Sequence, residues 1–269
     1  MAAVSGGADS LALLVLAVEA GCEVTAVHID HGLRPGSGDE AEVVRDAAVR
    51  FGAAFVPERV EVAPGPNVEA RAREARRSVL PAGAMTGHTA DDQAETVLLN
   101  LIRGAGLDGV GAMRPGLTKP ILALRRVETA RLCADRGLTP VIDPTNVDPA
   151  FRRNRVRHEV LPLLTDVAER DVVPIIARTA ELAAADVDLL DGLAAAIDPS
   201  DGAALAGAPL ALARRAVRRW LAAAAPPHPP DAASVERVLA VARGETVATE
   251  LAGGLRVART AGRLRIERR

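Results

Sequence analysis

The stretch Ser5-Gly6-Gly7-Ala8-Asp9-Ser10 lies between an apolar start at residues 1–4 and an apolar helical pattern at residues 10–19. A glycine-rich turn between a strand and a helix points backbone N–H groups and the positive end of the helix dipole at an anion. The glycines let the backbone approach a phosphate, the serines add hydroxyl groups, and Asp9 suits a Mg²⁺ ion that bridges phosphates. The stretch therefore predicts a phosphate-binding loop; the alternative is a tight turn in which Asp9 and Ser10 cap the helix.

Short apolar runs alternate with helical patterns on both sides of this loop, up to about residue 164. This alternation predicts an α/β fold with a doubly wound, mostly parallel sheet. Ligands of such sheets bind at the carboxyl ends of the strands, where the loop would lie. Strands are predicted at residues 1–4, 23–29, 54–62, 84–87 and 120–124, and helices at residues 10–19, 39–51, 68–79, 90–103 and 126–136.

The pattern changes after residue 164, which predicts two domains, residues 1–164 and 165–269. The second domain is predicted to be smaller and helical, and to end in an antiparallel β meander at residues 246–267. Residues 210–269 carry twelve arginines and five acidic residues. The stripe Arg214, Arg215, Arg218 and Arg219 would lie along one predicted helix, and it is either a phosphate-binding surface or an ordinary solvated face.

The composition narrows the class of protein. The 269 residues are 49% hydrophobic, with 33 basic against 35 acidic side chains, which is typical of a globular protein and excludes general disorder. The sequence has neither a long apolar span nor a signal-peptide pattern, so we predict a cytoplasmic protein with no membrane partner. Cys22 and Cys133 are too few and too far apart for a disulfide framework or a CxxC metal site.

Three carboxylates follow the fourth predicted strand, in the stretch Gly87-His88-Thr89-Ala90-Asp91-Asp92-Gln93-Ala94-Glu95. Thr89 and Asp92 fit a capping box, so these acids could simply start the helix. However, Asp92 and Glu95 share one face at i, i+3, as do Asp91 and Glu95 at i, i+4. Carboxylates beside a phosphate-binding loop would repel a nucleotide unless a cation lay between them. The stretch therefore predicts a bound Mg²⁺ ion or a cationic substrate.

Six stretches occur in the order and spacing of one enzyme family. Over residues 1–164 the chain resembles the tRNA(Ile)-lysidine synthetases, which belong to the ATP-pyrophosphatase (PP-loop) superfamily. That resemblance implies the adenine nucleotide α-hydrolase-like version of the α/β fold. The six stretches are residues 5–10, 27–34, 87–96, 100–106 (NLIRGAG), 143–146 (DPTN) and 151–157 (FRRNRVR).

The resemblance implies a reaction as well as a fold. Family members use ATP, with Mg²⁺, to adenylate the C2 oxygen of the wobble cytidine in tRNA(Ile) with a CAU anticodon. The ε-amine of free L-lysine then displaces AMP, and the product base is lysidine. A homodimer is also expected from the family, and residues 165–269 would be an accessory tRNA-binding domain.

Individual residues acquire roles through the same resemblance. Asp9 would hold Mg²⁺ and act in catalysis with Arg103 and Arg155, and Asp92 and Glu95 would grip the ammonium groups of lysine. The nucleotide would contact Ser5, Gly6, Gly7, Ala8, Asp9, Ser10, Val27, His28 and Asp30. The tRNA and lysine would contact Arg73, His88, Asp92, Glu95, Arg214, Arg215, Arg218 and Arg219.

Three other functions compete with lysidine synthesis. A tRNA base thiolase of the same ATP-pyrophosphatase class delivers sulfur through cysteines or an iron–sulfur cluster, for which two distant cysteines are too few. An amidotransferase-linked synthetase of a small metabolite would leave the basic C-terminal region unexplained. A nucleotide- or RNA-binding module without catalysis is disfavoured by Asp9, Asp92 and Glu95, because acids at a phosphate site impair pure phosphate binding.

Overall fold

A computed structural model of the chain describes residues 1–30, 32, 37–60, 71, 75, 78–224 and 230–268. Its contacts form two compact units, Met1–Ala184 and Ala185–Arg269. The boundary between these units lies later in the chain than the one predicted from the sequence, because Val172 and Val173 pack in a buried cluster with Ala90 and Ala94 of the first unit. The helix predicted at residues 68–79 falls largely outside the described residues.

A four-stranded parallel sheet forms the centre of the first unit, in the order β3-β2-β1-β4. The strand β1 is only two residues long, yet it pairs with β2 on one side and with β4 on the other, so Ala2 lies opposite both Ala26 and Met85. The predicted parallel α/β fold is therefore confirmed. The strands are β1 (Ala2–Ala3), β2 (Thr25–Asp30), β3 (Ala54–Arg59) and β4 (Met85–Thr86).

The helices of the first unit cover the sheet and extend beyond it. The first helix is apolar on nearly all sides, and Leu11, Leu13 and Leu14 have no exposed surface; such a pattern is typical of a helix enclosed by other elements. It shares a core cluster with residues of the sheet and of the second and fifth helices. The described helices are α1 (Ala8–Glu19), α2 (Ser37–Phe51), α3 (Ala90–Ile102), α4 (Leu107–Val110), α5 (Arg126–Asp135), α6 (Arg152–Arg155), α7 (Leu161–Ala168) and α8 (Val173–Ala195). The last of these helices continues past Ala184, so its C-terminal half belongs to the second unit.

The strand predicted at residues 120–124 is wrong, because these residues form consecutive turns. The amide of Leu122 donates to the carbonyl of Lys119, and that of Leu124 donates to Ile121. Ile121 and Leu122 are nevertheless buried. The apolar run thus correctly predicted burial, but it is too short to show the periodicity that distinguishes a strand from other structures. In addition, Pro120 has no N–H group to donate to a sheet.

A π-helical turn, Val156–Val160, joins α6 to α7, so that residues 152–168 form one continuous helical stretch. A π-turn is wider than an α-turn and is frequent at functional sites. Val156 and Leu161 belong to a buried cluster that also contains Ala90 and Ala94 of α3. This packing holds α6 against the first turns of α3.

The second unit combines helices with the predicted meander. The three strands form an antiparallel sheet in the order β5-β6-β7, with a tight turn at Ala261 and Gly262, both at positive φ. Val217, Val238 and Val257 have no exposed surface and join the helices to the sheet. Among the described residues, no helix has the length and apolar character needed to span a membrane. The elements are α9 (Gly202–Gly207), α10 (Leu210–Ala224), α11 (Ala232–Arg243), β5 (Ala248–Leu251), β6 (Leu255–Thr260) and β7 (Arg263–Arg268).

Candidate active site

The Ser5–Ser10 loop joins the end of β1 to the start of α1, as predicted. Gly7 is the N-cap of α1, and its carbonyl accepts from the amides of Ser10 and Leu11 at 3.1 and 3.0 Å. Asp9 and Ser10 lie inside the helix, so the alternative in which they cap it is wrong. The Ser10 hydroxyl donates to Gly7 O at 2.9 Å and accepts from the Ser5 amide at 3.1 Å. These hydrogen bonds within the loop fix its shape.

Two glycines are required by the geometry around this loop. Gly6 has φ +88°, a conformation that side chains disfavour. Gly87, just after β4, passes so close to α1 that a Cβ atom there would lie 2.7 Å from the carbonyl oxygen of Asp9. A side chain at residue 87 would therefore push β4 and the loop apart.

A pocket of about 550 Å³ opens at the carboxyl ends of β1, β2 and β4. This size falls within the range of small-molecule sites. Part of its wall is the Ser5–Ser10 loop. The apolar lining comes from Val4, Val27, Ile29, Pro140, Val141 and Ile142, and the polar lining includes Asp9, His88, Asp92, Arg126, Asn146 and Arg157.

Asp9 reaches the pocket from the first turn of α1. The Thr129 hydroxyl donates to Asp9 Oδ1, and Arg126 Nε donates to Asp9 Oδ2 at 3.4 Å. Burial raises the pKa of Asp9 despite these two donors. The carboxylate is therefore held where ionisation is costly, which is the situation of a group that gains by meeting a cation.

Glu95 lies at the centre of a cluster of opposite charges. Its side chain has no exposed surface. Arg153 Nε donates to Oε2 at 2.6 Å, Arg157 Nε donates to Oε1 at 2.7 Å, and Arg126 Nη1 donates to Oε1 at 3.3 Å. Three guanidinium groups thus surround one buried carboxylate, and such a group is stable only while it is paired.

Asp92 belongs to the same cluster and also starts α3. Its Oδ2 accepts from the Thr89 amide at 2.9 Å, which confirms the predicted capping box. Its Oδ1 accepts from Arg126 Nη2 at 3.0 Å and from Arg153 Nη2 at 3.2 Å. Burial by itself would raise the pKa of Asp92, but Arg126, Arg153 and the Thr89 amide outweigh it and lower that pKa. Asp92 is therefore ionised at neutral pH.

The structure brings different arginines to this cluster from those predicted. Arg103 lies exposed at the C-terminal end of α3, far along the helix from Asp92. Arg155 is also exposed, and it pairs with Glu159 at 2.8 Å. Arg73 falls outside the described residues. The cluster instead contains Arg126, Arg153 and Arg157.

Two sequence signals point to the arginines that were missed. Arg153 and Arg157 are i, i+4 neighbours within FRRNRVR and so lie on one side of the helical stretch, whereas Arg155 lies on another. Arg126 and Thr129 are i, i+3 neighbours in the first turn of α5, and both donate to Asp9. Neither signal identifies its partner, because the carboxylates lie on other elements.

The binding residues predicted on β2 and after β4 differ in whether their side chains line the pocket. Val27 lines the pocket, whereas the His28 side chain is buried and its Nδ1 lies 3.0 Å from Val4 O. Asp30 Oδ1 accepts from the Gly32 amide at 2.8 Å. His88 lines the pocket, with Nδ1 2.8 Å from Thr86 Oγ1. The nucleotide- and substrate-binding roles given to these residues remain predictions.

The arginine stripe of α10 makes contacts inside the second unit. Arg214 Nε donates to Glu236 Oε1 at 2.5 Å, and Arg215 Nη1 donates to Asp191 Oδ1 at 2.7 Å. Arg219 Nη1 donates to the backbone oxygen of Asp191 at 3.0 Å. Arg215 is 13% exposed and therefore belongs to the packing of α10 on α8. Arg218 and Arg219 are therefore the members of the stripe that we expect to contact a phosphate.

Comparison with known proteins agrees with this geometry. A model of the PP-loop domain family matches residues 1–164, so the chain belongs to the PP-loop class of ATP-using proteins. A model of the TilS substrate binding domain matches residues 201–265. The chain belongs to the tRNA(Ile)-lysidine synthase family.

Two relatives show how far this likeness extends. The tRNA(Ile)-lysidine synthase of Nocardia farcinica is 46% identical, over 81% of this chain and 74% of that protein. The tRNA(Ile)-lysidine synthase of Salinispora tropica is 40% identical, over 98% of this chain and 89% of that protein. The similarity therefore includes both units.

Among solved structures, the chain is similar to the U34-tRNA thiolase NcsA from Methanococcus maripaludis with its [4Fe-4S] cluster. The TM-score is 0.52 at 18% identity, over 66% of this chain and 70% of that chain. At this identity the likeness concerns the fold alone.

Proposed function

We propose that this protein joins lysine to C2 of the wobble cytidine of tRNA(Ile) with a CAU anticodon, forms lysidine, and converts ATP to AMP and pyrophosphate. One observation carries the proposal. A phosphate-binding loop and a buried cluster of carboxylates and arginines meet at one pocket, in a chain 40–46% identical to tRNA(Ile)-lysidine synthases over most of its length. The loop suits a nucleotide, and the mixed charges suit an amino acid.

The reaction proceeds in two balanced steps. The C2 oxygen of the cytidine attacks the α-phosphorus of ATP, and the bond to the β-phosphate oxygen breaks to release pyrophosphate. The ε-amine of lysine then attacks C2, and AMP leaves with the former C2 oxygen. The ε-ammonium group of lysine first releases one proton to solvent, because the attacking nitrogen needs a free lone pair to form the new carbon–nitrogen bond.

The Ser5–Ser10 loop and Asp9 serve the first step. The backbone amides at the start of α1 face an anion and would hold the phosphates. Asp9 fits a Mg²⁺ ion, because that ion usually takes one or two carboxylates together with substrate phosphates, and burial already makes the charge of Asp9 costly. When bound, Mg²⁺ would neutralise phosphate charge. Arg126, which lies beside Asp9 in the pocket, offsets the negative charge that develops as pyrophosphate leaves.

The charge cluster serves the second step. Lysine carries two ammonium groups and one carboxylate, so its site needs both signs of charge. Asp92 and Glu95 supply the negative sign. Arg153, which donates to both acids, and Arg157, which donates to Glu95, supply the positive sign. Lysine would therefore exchange existing ion pairs for new ones, at a smaller cost than the burial of an isolated charge.

The second unit holds the tRNA through its basic surface. Arg218 and Arg219 on α10 lie beside other arginines of the stripe, and tRNA binding depends strongly on phosphate neutralisation. We assign the enzyme to the cytoplasm, where its tRNA substrate is made, and we keep the homodimer as an expectation. Light scattering of the purified protein measures that oligomeric state.

Cysteine content separates this function from that of the thiolase. Cys22 is exposed, and Cys133 is buried with its Sγ 3.4 Å from Ala8 O. These features favour an amine over sulfur as the nucleophile.

The decisive experiment is incorporation of radiolabelled lysine into purified tRNA. The reaction contains the full chain, ATP, Mg²⁺ and tRNA(Ile) bearing CAU, with the methionine elongator tRNA that shares this anticodon as the control. Label in the first tRNA alone is the expected result. Release of AMP without label would retain the activation step and exclude lysine as the nucleophile, and the absence of both would overturn the proposal.

A further inference from the structure

Asp91 stands next to the charge cluster without belonging to it. Its side chain turns away from Glu95 towards the start of α5, where Oδ2 accepts from Arg125 Nε at 3.0 Å and Oδ1 accepts from Arg125 Nη2 at 3.1 Å. Such a two-pronged pair fixes both distance and orientation. Arg125 also donates to Asp171, whose side chain is 50% exposed, and such an exposed pair contributes little.

The same carboxylate holds the backbone of the next residue. The amide of Arg126 donates to Asp91 Oδ2 at 2.8 Å, and the amide of Ala90 donates to Leu124 O at 2.8 Å. The start of α3 and the start of α5 are therefore joined by bonds in both directions. Arg126 is the first residue of α5, and the first amides of a helix need partners outside it.

The backbone that Asp91 holds carries two side chains into the site. Arg126 reaches Asp9, Asp92 and Glu95, and Thr129, one turn later, reaches Asp9. A shift of α5 relative to α3 would move both side chains together. Burial by itself would raise the pKa of Asp91, but the bonds from Arg125 and Arg126 outweigh it and lower that pKa.

We propose that Asp91, clamped by Arg125, is a positioning residue that fixes the first turn of α5 so that Arg126 and Thr129 meet Asp9. Asp91 does not line the pocket and acts through Arg126. The inference rests on the proposed function only for the reaction that is measured. The clamp itself is a property of the fold.

The test compares Asp91→Asn, Arg125→Ala and the control Asp171→Asn in the full-length protein. Asp171 is the other acid on Arg125, and asparagine can still accept the Val173 amide that Asp171 Oδ1 now accepts. We expect Asp91→Asn and Arg125→Ala to lower kcat for lysidine formation about tenfold or more, because small misplacements near the reacting atoms are costly. The KM values for ATP, lysine and tRNA should stay within about twofold, and Asp171→Asn should behave as the wild type.

A second background separates positioning from general stability. In protein that carries both Arg126→Ala and Thr129→Val, and so has lost both groups that Asp91 positions, Asp91→Asn should lower kcat by less than about twofold. An equal loss in both backgrounds, or a loss confined to KM, would overturn the proposal.

Amide hydrogen exchange gives a readout independent of activity. The segment that begins at Arg126 should exchange faster in Asp91→Asn and Arg125→Ala than in the wild type and the control, even if one variant is too unstable for kinetics. Unchanged exchange in both variants contradicts the clamp. If the wild-type enzyme makes no lysidine but the two variants still exchange faster than it does, the proposed function alone is contradicted and the clamp is retained.

Discussion

Arg157 binds Glu95 with both arms of its guanidinium group, Nε to Oε1 at 2.7 Å and Nη2 to Oε2 at 3.2 Å. The two residues come from the π-helical turn and from α3, respectively, so this pair links two elements as well as two charges. Its geometry decides how the acid responds to mutation.

Glu95→Gln should destabilise the first unit. The substitution leaves three arginines with one charged acceptor fewer in a buried site, and the loss of one partner of a buried ion pair costs about 3 kcal/mol or more. Denaturant unfolding followed by circular dichroism measures it. The matched control is Glu159→Gln, which removes an exposed partner of Arg155 and should change little. Equal stability of the two variants would show that the cluster around Glu95 is not structurally important.

Asp92→Asn should impair the use of lysine far more than the binding of ATP. Asparagine keeps an oxygen for the Thr89 amide, so α3 still starts at the same place, but the negative charge is lost. We expect the KM for lysine to rise about tenfold or more, the equivalent of one lost charged hydrogen bond, while the Kd for ATP changes less than about twofold. Calorimetry with ATP and kinetics with lysine separate the two effects, and Asp135→Asn on the surface of α5 is the control. Equal losses for both ligands would contradict the role of Asp92.

Asp9→Asn should stop catalysis and stabilise the protein at neutral pH. Because burial raises the pKa of Asp9, the folded protein binds this proton more tightly than the unfolded chain does. The ionised carboxylate therefore costs stability as the pH rises above about 4, the ordinary pKa of an aspartate. The melting temperature of the variant minus that of the wild type should therefore increase as the pH rises above about 4, and it should level off once Asp9 is ionised in the folded protein. A difference in melting temperature that does not depend on pH would show that the ionised Asp9 side chain does not destabilise the folded protein.

Arg218→Gln combined with Arg219→Gln should weaken tRNA binding and reduce its dependence on salt. Each neutralised arginine that contacts a phosphate lowers the slope of log affinity against log salt by about 1. Filter binding at several salt concentrations measures this slope. Arg131→Gln, an exposed arginine of α5, removes a charge from the other unit and serves as the control. If the double variant keeps the wild-type slope, α10 is an ordinary solvated face.

Replacement of both cysteines should leave lysidine formation intact. Cys22→Ala removes an exposed thiol, and Cys133→Ala removes a buried one whose pKa burial raises, which makes it a poor nucleophile. The double variant should keep kcat within about threefold of the wild type, since only packing around residue 133 changes. Loss of all activity, with the fold retained, would instead indicate sulfur chemistry.

Much of the fold could be predicted because its signals are local. The Ser5–Ser10 loop, the capping box at Thr89 and the turn at Ala261 and Gly262 each depend on residues a few positions apart. Their geometry follows from glycine conformations and helix ends, which sequence alone displays. The family resemblance added the fold and the reaction.

The charge cluster could be predicted only in part because its partners lie far apart in the chain. The acids were identified as neighbours of the phosphate loop, but the sequence could not show that Arg126 and Arg153 would already pair with them. Arg155 lies in a run of arginines in which the helix phase decides the direction of each side chain. That phase depends on packing against α3, which no local pattern records.

The π-helical turn changes the helix phase within the stretch of residues 152–168. A turn of this kind contains one residue more than an α-helical turn, so the residues on its two sides face directions that a regular helix could not combine. Here the side before the turn presents Arg153 to Glu95, and the side after it presents Leu161 to the buried cluster with α3. Conversion of Val156–Val160 into a regular α-helical turn with the same number of residues would rotate one side by about 100° relative to the other. The wide turn therefore sets the helix phase in which one continuous stretch meets α3 at two places, through Arg153 and through Leu161.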